Sequence, residues 1–305
     1  MHPAPSLIVF TVLSGLGYGL AFVLCLGLLD PEFTATKLAW LTALVMIATG
    51  LVSSLFHLGN PRRAWRALSQ WQSSWLSREG VMALATFAPL VGNMVLAVFA
   101  EERLVFLSLL GALMCAATVI CTSMIYASLR SVEAWSTGLT PICFSFFALA
   151  GGGLIAIPFA ALGSGMIEGV ALLALAGLIG GTLFKLFWMQ RLNAGLTATT
   201  PETATGLGSM GKVHLLERPH AMDNYLTREM VFRIGRKHAR KLRAIAFILA
   251  AAVPLVCLLL IASTPSPLWL PLATVAIIAH CVGMLVERWL FFAEAGHAVA
   301  NYYGA

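Results

Sequence analysis

Eight long apolar stretches constrain this chain more than any other feature of its sequence. Each is close to the ~20 residues that a helix needs to cross a bilayer, and a backbone in hydrocarbon has to satisfy its own hydrogen bonds. Apolar residues make up 59% of the chain and charged residues only 10%, whereas soluble domains carry about 25% charged residues. We predict an all-α integral membrane protein with eight transmembrane helices, forming a single domain over 1–305. The predicted spans are approximately 6–29, 38–58, 80–100, 104–127, 142–162, 166–189, 244–263 and 267–292.

The tryptophans and cysteines agree with a membrane domain that lacks a metal centre. All six cysteines lie inside predicted spans and none belongs to a C-x-x-C pair, so we expect small packing residues and no iron–sulfur or zinc site. The tryptophans are placed as in an interfacial belt. Those near predicted helix ends are Trp40, Trp188, Trp269 and Trp289, and those in predicted loops are Trp65, Trp71, Trp75 and Trp135.

Positive charge is divided very unevenly between the two sides of the predicted bundle. Eight spans put both termini and the loops at 59–79, 128–141 and 190–243 on one side. That side carries 17 of the 19 Lys and Arg residues, and only Lys37 and Arg103 fall opposite. The positive-inside rule predicts that this side is cytoplasmic, in a bacterial inner membrane. We interpret Lys185, Glu287 and Arg288 as residues that pair or snorkel near the same boundary.

Two basic segments on that side predict a docking surface. Asn60 can cap a short helix that begins at Pro61, and Leu226, Met230 and Ile234 repeat at helical spacing. Such segments bind either anionic lipid headgroups or an acidic soluble partner, and we favour the partner. Nucleic acid is not expected, because the charges are held at the membrane plane. The predicted docking residues are Arg62, Arg63, Arg66, Arg228, Arg233, Arg236, Lys237, Arg240, Lys241 and Arg243.

A histidine and a glutamate flank the 59–79 loop and predict a quinone site. His57 ends the second predicted span and Glu79 lies in the first turn of the third, so both are expected at matching depth. His57 can donate to a ring carbonyl. At Glu79 the helix dipole favours the carboxylate while burial opposes it, although both residues could instead be ordinary helix-end groups. Asn60 and Arg78, beside this pair, complete the predicted quinone-binding set.

Two further interpretations of the titratable groups remain open at this stage. His57 and His280 could bracket a b-type haem as axial ligands, but one interhelical hydrogen bond explains His280 more simply. A secondary transporter would place polar groups near the bilayer midplane, whereas the groups here crowd one edge. Copurifying redox subunits would distinguish an anchor from a transporter, and a Soret band would reveal a self-contained cytochrome.

The motifs on either side of the 59–79 loop carry a family resemblance. The 57–61 segment reads His-Leu-Gly-Asn-Pro and the 77–79 segment reads Ser-Arg-Glu. They resemble the His-Leu-Gly-Ser-Pro and Ser-Asn-Glu motifs of the membrane-anchor subunits of the dimethyl sulfoxide reductase family. The departures are Asn60 and Arg78, which leave the histidine and the glutamate in place. The segments at 1–6, 218–243 and 286–295 are similar to the anchors of cytoplasmic membrane-bound sulfite dehydrogenases of sulfur oxidisers.

These resemblances imply a function that composition alone does not. Their motif histidine and glutamate are implicated in menaquinol binding and correspond to His57 and Glu79. They imply a partner subunit with four iron–sulfur clusters, a molybdopterin catalytic subunit and no haem in the anchor. Electrons then pass either from sulfite towards ubiquinone or menaquinone, which we favour, or from menaquinol towards dimethyl sulfoxide. The anchor sequence does not fix this direction, because the substrate chemistry belongs to the partner subunits.

Overall fold

The computed structural model describes residues 3–56, 58–194, 200–214, 216–217, 234–264 and 266–299, with side chains for all of these except 234–237 and 266. The described residues are mostly helical and contain no strand. Eight of their helices are long and apolar enough to cross a membrane. The predicted all-α fold and the number of spans are therefore confirmed.

The eight helices are labelled α1 to α8 in chain order. A 3-10 helix at Pro61–Gln70 and a short helix at Pro201–Thr205 lie outside them. A π-helical turn ends α3 at Leu96–Ala100, and another interrupts α7 at Ile248–Ala252. The bounds are α1 Pro5–Cys25, α2 Thr34–Leu55, α3 Trp75–Ala100, α4 Val105–Ala127, α5 Leu139–Leu162, α6 Ile167–Asn193, α7 Ile234–Ser263 and α8 Trp269–Ala293.

Helices α1 and α5 form the centre of the bundle, because they are the most buried of the eight spans. Helix α1 packs against α2, α4, α5 and α8. The two central helices touch at Gly19 and Gly152, where an added Cβ atom would overlap the backbone of the facing helix. Small residues allow such close approach in membranes, where helices associate by packing and not by the hydrophobic effect. The glycines therefore fix the contact around which the other helices pack.

The alternating helices give the bundle two polar ends. The basic face carries residues 56, 58–74, 128–138 and 294–299, and the Ala298 amide donates to the Ser131 carbonyl there at 2.8 Å. The opposite face carries 26–33, 101–104, 163–166, 264 and 266–268. Both predicted cations of the opposite face are engaged locally. Lys37 pairs with Glu101 at 2.6 Å, and Arg103 Nη2 donates to the Cys25 carbonyl at 2.8 Å.

Helix α3 begins earlier than the sequence predicts, at Trp75 instead of residue 80. Polar side chains stabilise this added turn. The Ser77 hydroxyl donates to the Ala67 carbonyl of the 3-10 helix, and the Arg78 guanidinium donates to the carbonyls of Trp71 and Gln72 at 3.0 and 2.7 Å. As the fifth residue of the helix, Glu79 lies in the second turn, so its predicted first-turn position is wrong.

Two other local predictions are also wrong. The 3-10 helix begins at Pro61 as expected, but the Asn60 side chain makes no capping hydrogen bond. Trp135 and Trp188 are buried and do not belong to an interfacial belt. Their indole N–H groups donate to the carbonyls of Phe291 and Ala134 at 2.8 and 2.9 Å. A partner of this kind lets an indole be fully buried.

Candidate functional site

Glu79 is buried, with 6% of its surface exposed, and its partner lies on the neighbouring helix. The Thr122 hydroxyl of α4 donates to Glu79 Oε1 at 2.5 Å. None of the ion pairs within the described residues involves Glu79. The described partner of the Glu79 carboxyl group is therefore a neutral hydroxyl, whereas a buried acid is usually paired with a cation.

The surroundings of Thr122 fit both protonation states of Glu79. The Thr122 hydroxyl also lies 3.1 Å from the Thr118 carbonyl. When Glu79 is ionised, the hydroxyl donates to the carboxylate. When Glu79 is protonated, its O–H donates to Thr122 and the hydroxyl turns to the Thr118 carbonyl, since a hydroxyl both donates and accepts. A hydroxyl rotation therefore keeps Thr122 hydrogen-bonded in either protonation state of Glu79.

Thr122 also borders a small cavity inside the bundle, which we call the inner cavity. Its volume is about 20 Å³, which is enough for one water molecule. It lies where α1, α4, α5 and α8 meet, and Arg288 reaches it with the guanidinium carbon 3.6 Å from the centre of the Phe144 ring. Polar atoms surround it on several sides. Its polar lining residues are Thr11, Ser14, Tyr18, Thr122 and Arg288.

A larger and more apolar cavity, which we call the groove, lies on the other side of Tyr18. Its volume is about 260 Å³, and it is formed by α1, α4 and α5. Tyr18, Val119 and Ala148 line both the groove and the inner cavity. Sequence reasoning missed Tyr18 and Thr122, because each is an ordinary residue within an apolar span. The cavities and the contact with Glu79 form only when neighbouring helices pack beside these residues.

Two of the other three predicted quinone residues are described by the structure, and neither lies at the inner cavity. His57 lies outside the described residues, so its role stays a prediction. Asn60 is exposed in the connection after α2. Arg78 is partly exposed, its guanidinium lies 4.4 Å from the centre of the Trp75 ring, and it donates to backbone carbonyls of the connecting segment. The structure therefore brings neither Asn60 nor Arg78 to the inner cavity.

Known proteins similar to this chain match it over nearly its full length. A family model described as DMSO reductase anchor subunit (DmsC) matches residues 1–293. The chain belongs to this anchor family. It is also 32% identical over 332 aligned residues to a subunit of the sulfite dehydrogenase of Allochromatium vinosum, with 99% of each chain covered. The family resemblance predicted from the short motifs is confirmed, and the chain is a multi-pass membrane anchor subunit of a complex with catalytic partner subunits.

The predicted docking residues of this anchor subunit differ in their exposure and in whether another residue of the chain pairs with them. Arg62, Arg63 and Arg66 are exposed on the 3-10 helix. Arg243 instead pairs with Glu294 at 2.8 Å and donates to Asn193 Oδ1 at 2.9 Å, so it joins α7 to α6 and to the end of α8. Arg240 and Lys241 are exposed in α7. Arg228 and Arg233 lie outside the described residues, and the side chains of Arg236 and Lys237 are not described.

The buried Glu287 and Arg288 and the partly buried Lys185 form a charge cluster, and Arg288 links it to the inner cavity. Glu287 lies 2.6 Å from Lys185 Nζ and 3.1 Å from Arg288 Nη1, and these are close charge pairs without the geometry of aligned hydrogen bonds. Lys185 Nζ also lies 3.8 Å from the centre of the Trp188 ring. The predicted pairing of these three residues is confirmed.

His280 makes an interhelical hydrogen bond, as the simpler interpretation of the sequence predicted. Its Nδ1 lies 2.7 Å from the Ala250 carbonyl of α7. Four residues further along α7 stands Pro254, which has no N–H to give that carbonyl. His280 supplies the missing donor. The described residues contain no cluster of three or more metal-ligating side chains, and a haem between His57 and His280 stays an untested interpretation.

Proposed function

We propose that this anchor subunit transfers electrons between a partner iron–sulfur subunit and membrane quinone, at a site formed by Glu79 and His57. One observation carries the proposal. A buried glutamate near the basic face has a hydroxyl partner that accommodates both of its protonation states, and this partner borders an internal cavity. A buried titratable group close to a cavity is a recognised candidate for a functional site.

The chemistry requires protons as well as electrons. Reduction of a quinone to a quinol takes two electrons and two protons, and the electrons come from the partner subunit. Glu79 is the proton-exchanging group. Its carboxyl can release a proton and later take one up again, because the Thr122 hydroxyl finds a hydrogen-bond partner in both states. His57 supplies a hydrogen-bond donor to a ring oxygen. This division leaves substrate chemistry to the partners and proton handling to the anchor.

We propose that the basic face is cytoplasmic and that the protein resides in a bacterial inner membrane. Of the 19 Lys and Arg residues, 17 belong to the basic face or to its adjoining helix ends and loop. The two cations of the opposite face are engaged by Glu101 and by the Cys25 carbonyl, whereas the arginines of the 3-10 helix are exposed. This asymmetry supports a cytoplasmic docking face.

We propose sulfite oxidation as the reaction of the complete complex. Oxidation of sulfite with water gives sulfate, two protons and two electrons, and the electrons reduce ubiquinone or menaquinone. The similarity to a sulfite dehydrogenase subunit over 99% of the chain supports this direction. The alternative is electron flow from menaquinol to dimethyl sulfoxide, which the family description favours. Either reaction places molybdopterin and four iron–sulfur clusters on partner subunits and requires no haem in the anchor.

The test compares two activities of the same membranes. Glu79→Gln and His57→Ala are expected to abolish quinone-linked turnover, while activity with an artificial electron acceptor persists because it bypasses the anchor. Loss of a hydrogen bond to a buried ring oxygen weakens quinone binding about 5- to 150-fold. Glu79→Gln is expected to reduce turnover more than binding, because an amide cannot carry protons.

A matched control is Glu102→Gln, the same substitution at an exposed glutamate on the opposite face. This variant is expected to keep both activities. An unchanged ratio of quinone-linked to dye-linked activity in Glu79→Gln and His57→Ala would remove both residues from the mechanism.

A further inference from the structure

Tyr18 combines complete burial with a hydroxyl that has no hydrogen-bond partner among the described residues. Only 2% of its surface is exposed. Buried tyrosine hydroxyls usually find a partner, and an unsatisfied buried polar atom calls for a water, an ion or a ligand as its explanation. The hydroxyl belongs to a residue that separates the inner cavity from the groove, so its missing partner is expected in one of these two spaces.

The groove has the properties of a place for an apolar ring. Its volume of about 260 Å³ is far larger than one water requires. Half-buried residues on α1, α4 and α5 form its outer part, and these include Phe22, Ala116 and Leu149. It therefore opens sideways, towards the acyl chains, at the middle of the helices. Pockets that are mainly apolar and hold a few polar groups are typical of small-molecule sites.

The two spaces adjoin each other at the residues that they share, and Glu79 lies beyond the inner cavity, behind Thr122. Tyr18, Val119 and Ala148 border both of them. Thr122 borders the inner cavity and binds Glu79. A lipid-soluble molecule in the groove thus lies against Tyr18, and the inner cavity, which has room for one water, separates it from the Glu79–Thr122 pair.

We propose that membrane quinone reaches the anchor sideways through the groove between α1, α4 and α5, and that the Tyr18 hydroxyl donates a hydrogen bond to one of its ring oxygens. Tyr18 is a positioning residue, and Glu79 remains the proton-exchanging group. This inference rests on the proposed quinone function and specifies its access route and a further ligand-binding residue. An acyl chain would fill the groove equally well but would leave the hydroxyl without a partner.

The first test uses Tyr18→Phe in the intact complex, because it removes only the hydroxyl. The KM for quinone is expected to rise about 3- to 10-fold, the size of one net hydrogen bond, with dye-linked activity unchanged. A second readout is the infrared carbonyl band of isotope-labelled quinone bound to the oxidised complex. In Tyr18→Phe this band is expected at higher frequency, because one carbonyl loses a donor.

The second test blocks the access route. Ala116→Phe puts a ring into the groove and is expected to lower kcat/KM for quinone at least tenfold. Its control is Ala117→Phe, one residue along α4 and on the side of the exposed Leu113 and Ile120, which is expected to behave as the parent protein. The inference is overturned if Tyr18→Phe and Ala116→Phe leave KM, kcat/KM and the carbonyl band unchanged while Glu79→Gln still abolishes quinone-linked turnover. If Glu79→Gln is also without effect, the proposed function itself fails.

Discussion

Glu79 and Glu287 are two buried acids near the same face of the bundle, and their surroundings differ. Their exposed fractions are 6% and 5%. Glu287 contacts two cations, Lys185 and Arg288, whereas the described partner of Glu79 is the Thr122 hydroxyl. An acid between two cations has its charge fixed by them, because removing that charge leaves both cations unpaired. An acid beside a hydroxyl can change its protonation at little cost to its neighbours.

The same distinction separates the arginines of the basic face. Arg243 is committed to Glu294 and Asn193 inside the chain, while Arg62, Arg63 and Arg66 are exposed on a 3-10 helix. Charges that have partners within the chain hold the helices together. Groups that have no ion pair among the described residues are the ones available to a quinone, a proton or another subunit. This contrast predicts different consequences for substitutions that look alike in sequence.

The largest expected effect is at the paired acid. Glu287→Ala leaves the buried Arg288 and the partly buried Lys185 without their carboxylate, and breaking a buried ion pair in this way costs about 3–5 kcal/mol of stability. We expect a large fall in the thermal unfolding temperature of the purified complex, or loss of assembled complex from the membrane. Unfolding followed by circular dichroism in detergent would measure it.

The matched control is Glu79→Ala, the same truncation of a buried glutamate. It removes one hydroxyl hydrogen bond and is expected to destabilise the complex much less, while abolishing quinone-linked turnover. The comparison breaks if the two variants are equally unstable, or if Glu287→Ala is stable and inactive with quinone.

The comparison also shows what the sequence could and could not predict. The eight spans follow from runs of apolar residues, so local composition was sufficient to find them. Glu79 was identifiable as an acid at a helix start, but its partner Thr122 lies 43 residues away and depends on how α3 packs against α4. Tyr18 was indistinguishable from a packing residue. The predicted interfacial positions of Trp135 and Trp188 were wrong for the same reason. The carbonyl groups that accept their indole hydrogen bonds lie in other segments of the chain.

An intermediate effect is expected at the hydroxyl partner of Glu79. Thr122→Val keeps the side-chain shape and removes the O–H. A hydrogen bond to a charged group contributes about 1.5–3 kcal/mol, so quinone-linked activity is expected to fall about 10- to 150-fold. Thr122→Ser is expected to restore it, and dye-linked activity is expected to stay constant in both variants.

Thr86→Val is the control for Thr122→Val, since it also removes a buried hydroxyl between α3 and α4. The Thr86 hydroxyl lies 2.6 Å from the Met82 carbonyl and 3.0 Å from the Thr118 hydroxyl, with no contact to Glu79. Equal loss of quinone-linked activity in both valine variants would show that helix packing, and not the bond to Glu79, accounts for the effect.

The smallest effect per residue is expected at the exposed arginines. Replacing Arg62, Arg63 and Arg66 together by Glu reverses the charge of the 3-10 helix, and each surface charge pair contributes only about 0.2–1 kcal/mol. We expect the soluble subunits to remain bound at low salt and to dissociate at lower salt than from the parent membranes, because salt screens the weakened attraction.

Subunits released in cells are expected in the cytoplasmic fraction, and their recovery from the periplasm would overturn the proposed orientation. A second variant reverses the exposed Arg240 and Lys241 of α7, and equal release by both variants would extend the docking surface to α7. If neither variant changes the salt at which the subunits dissociate, these arginines serve lipid contact, and the free charges of the basic face are not a docking surface.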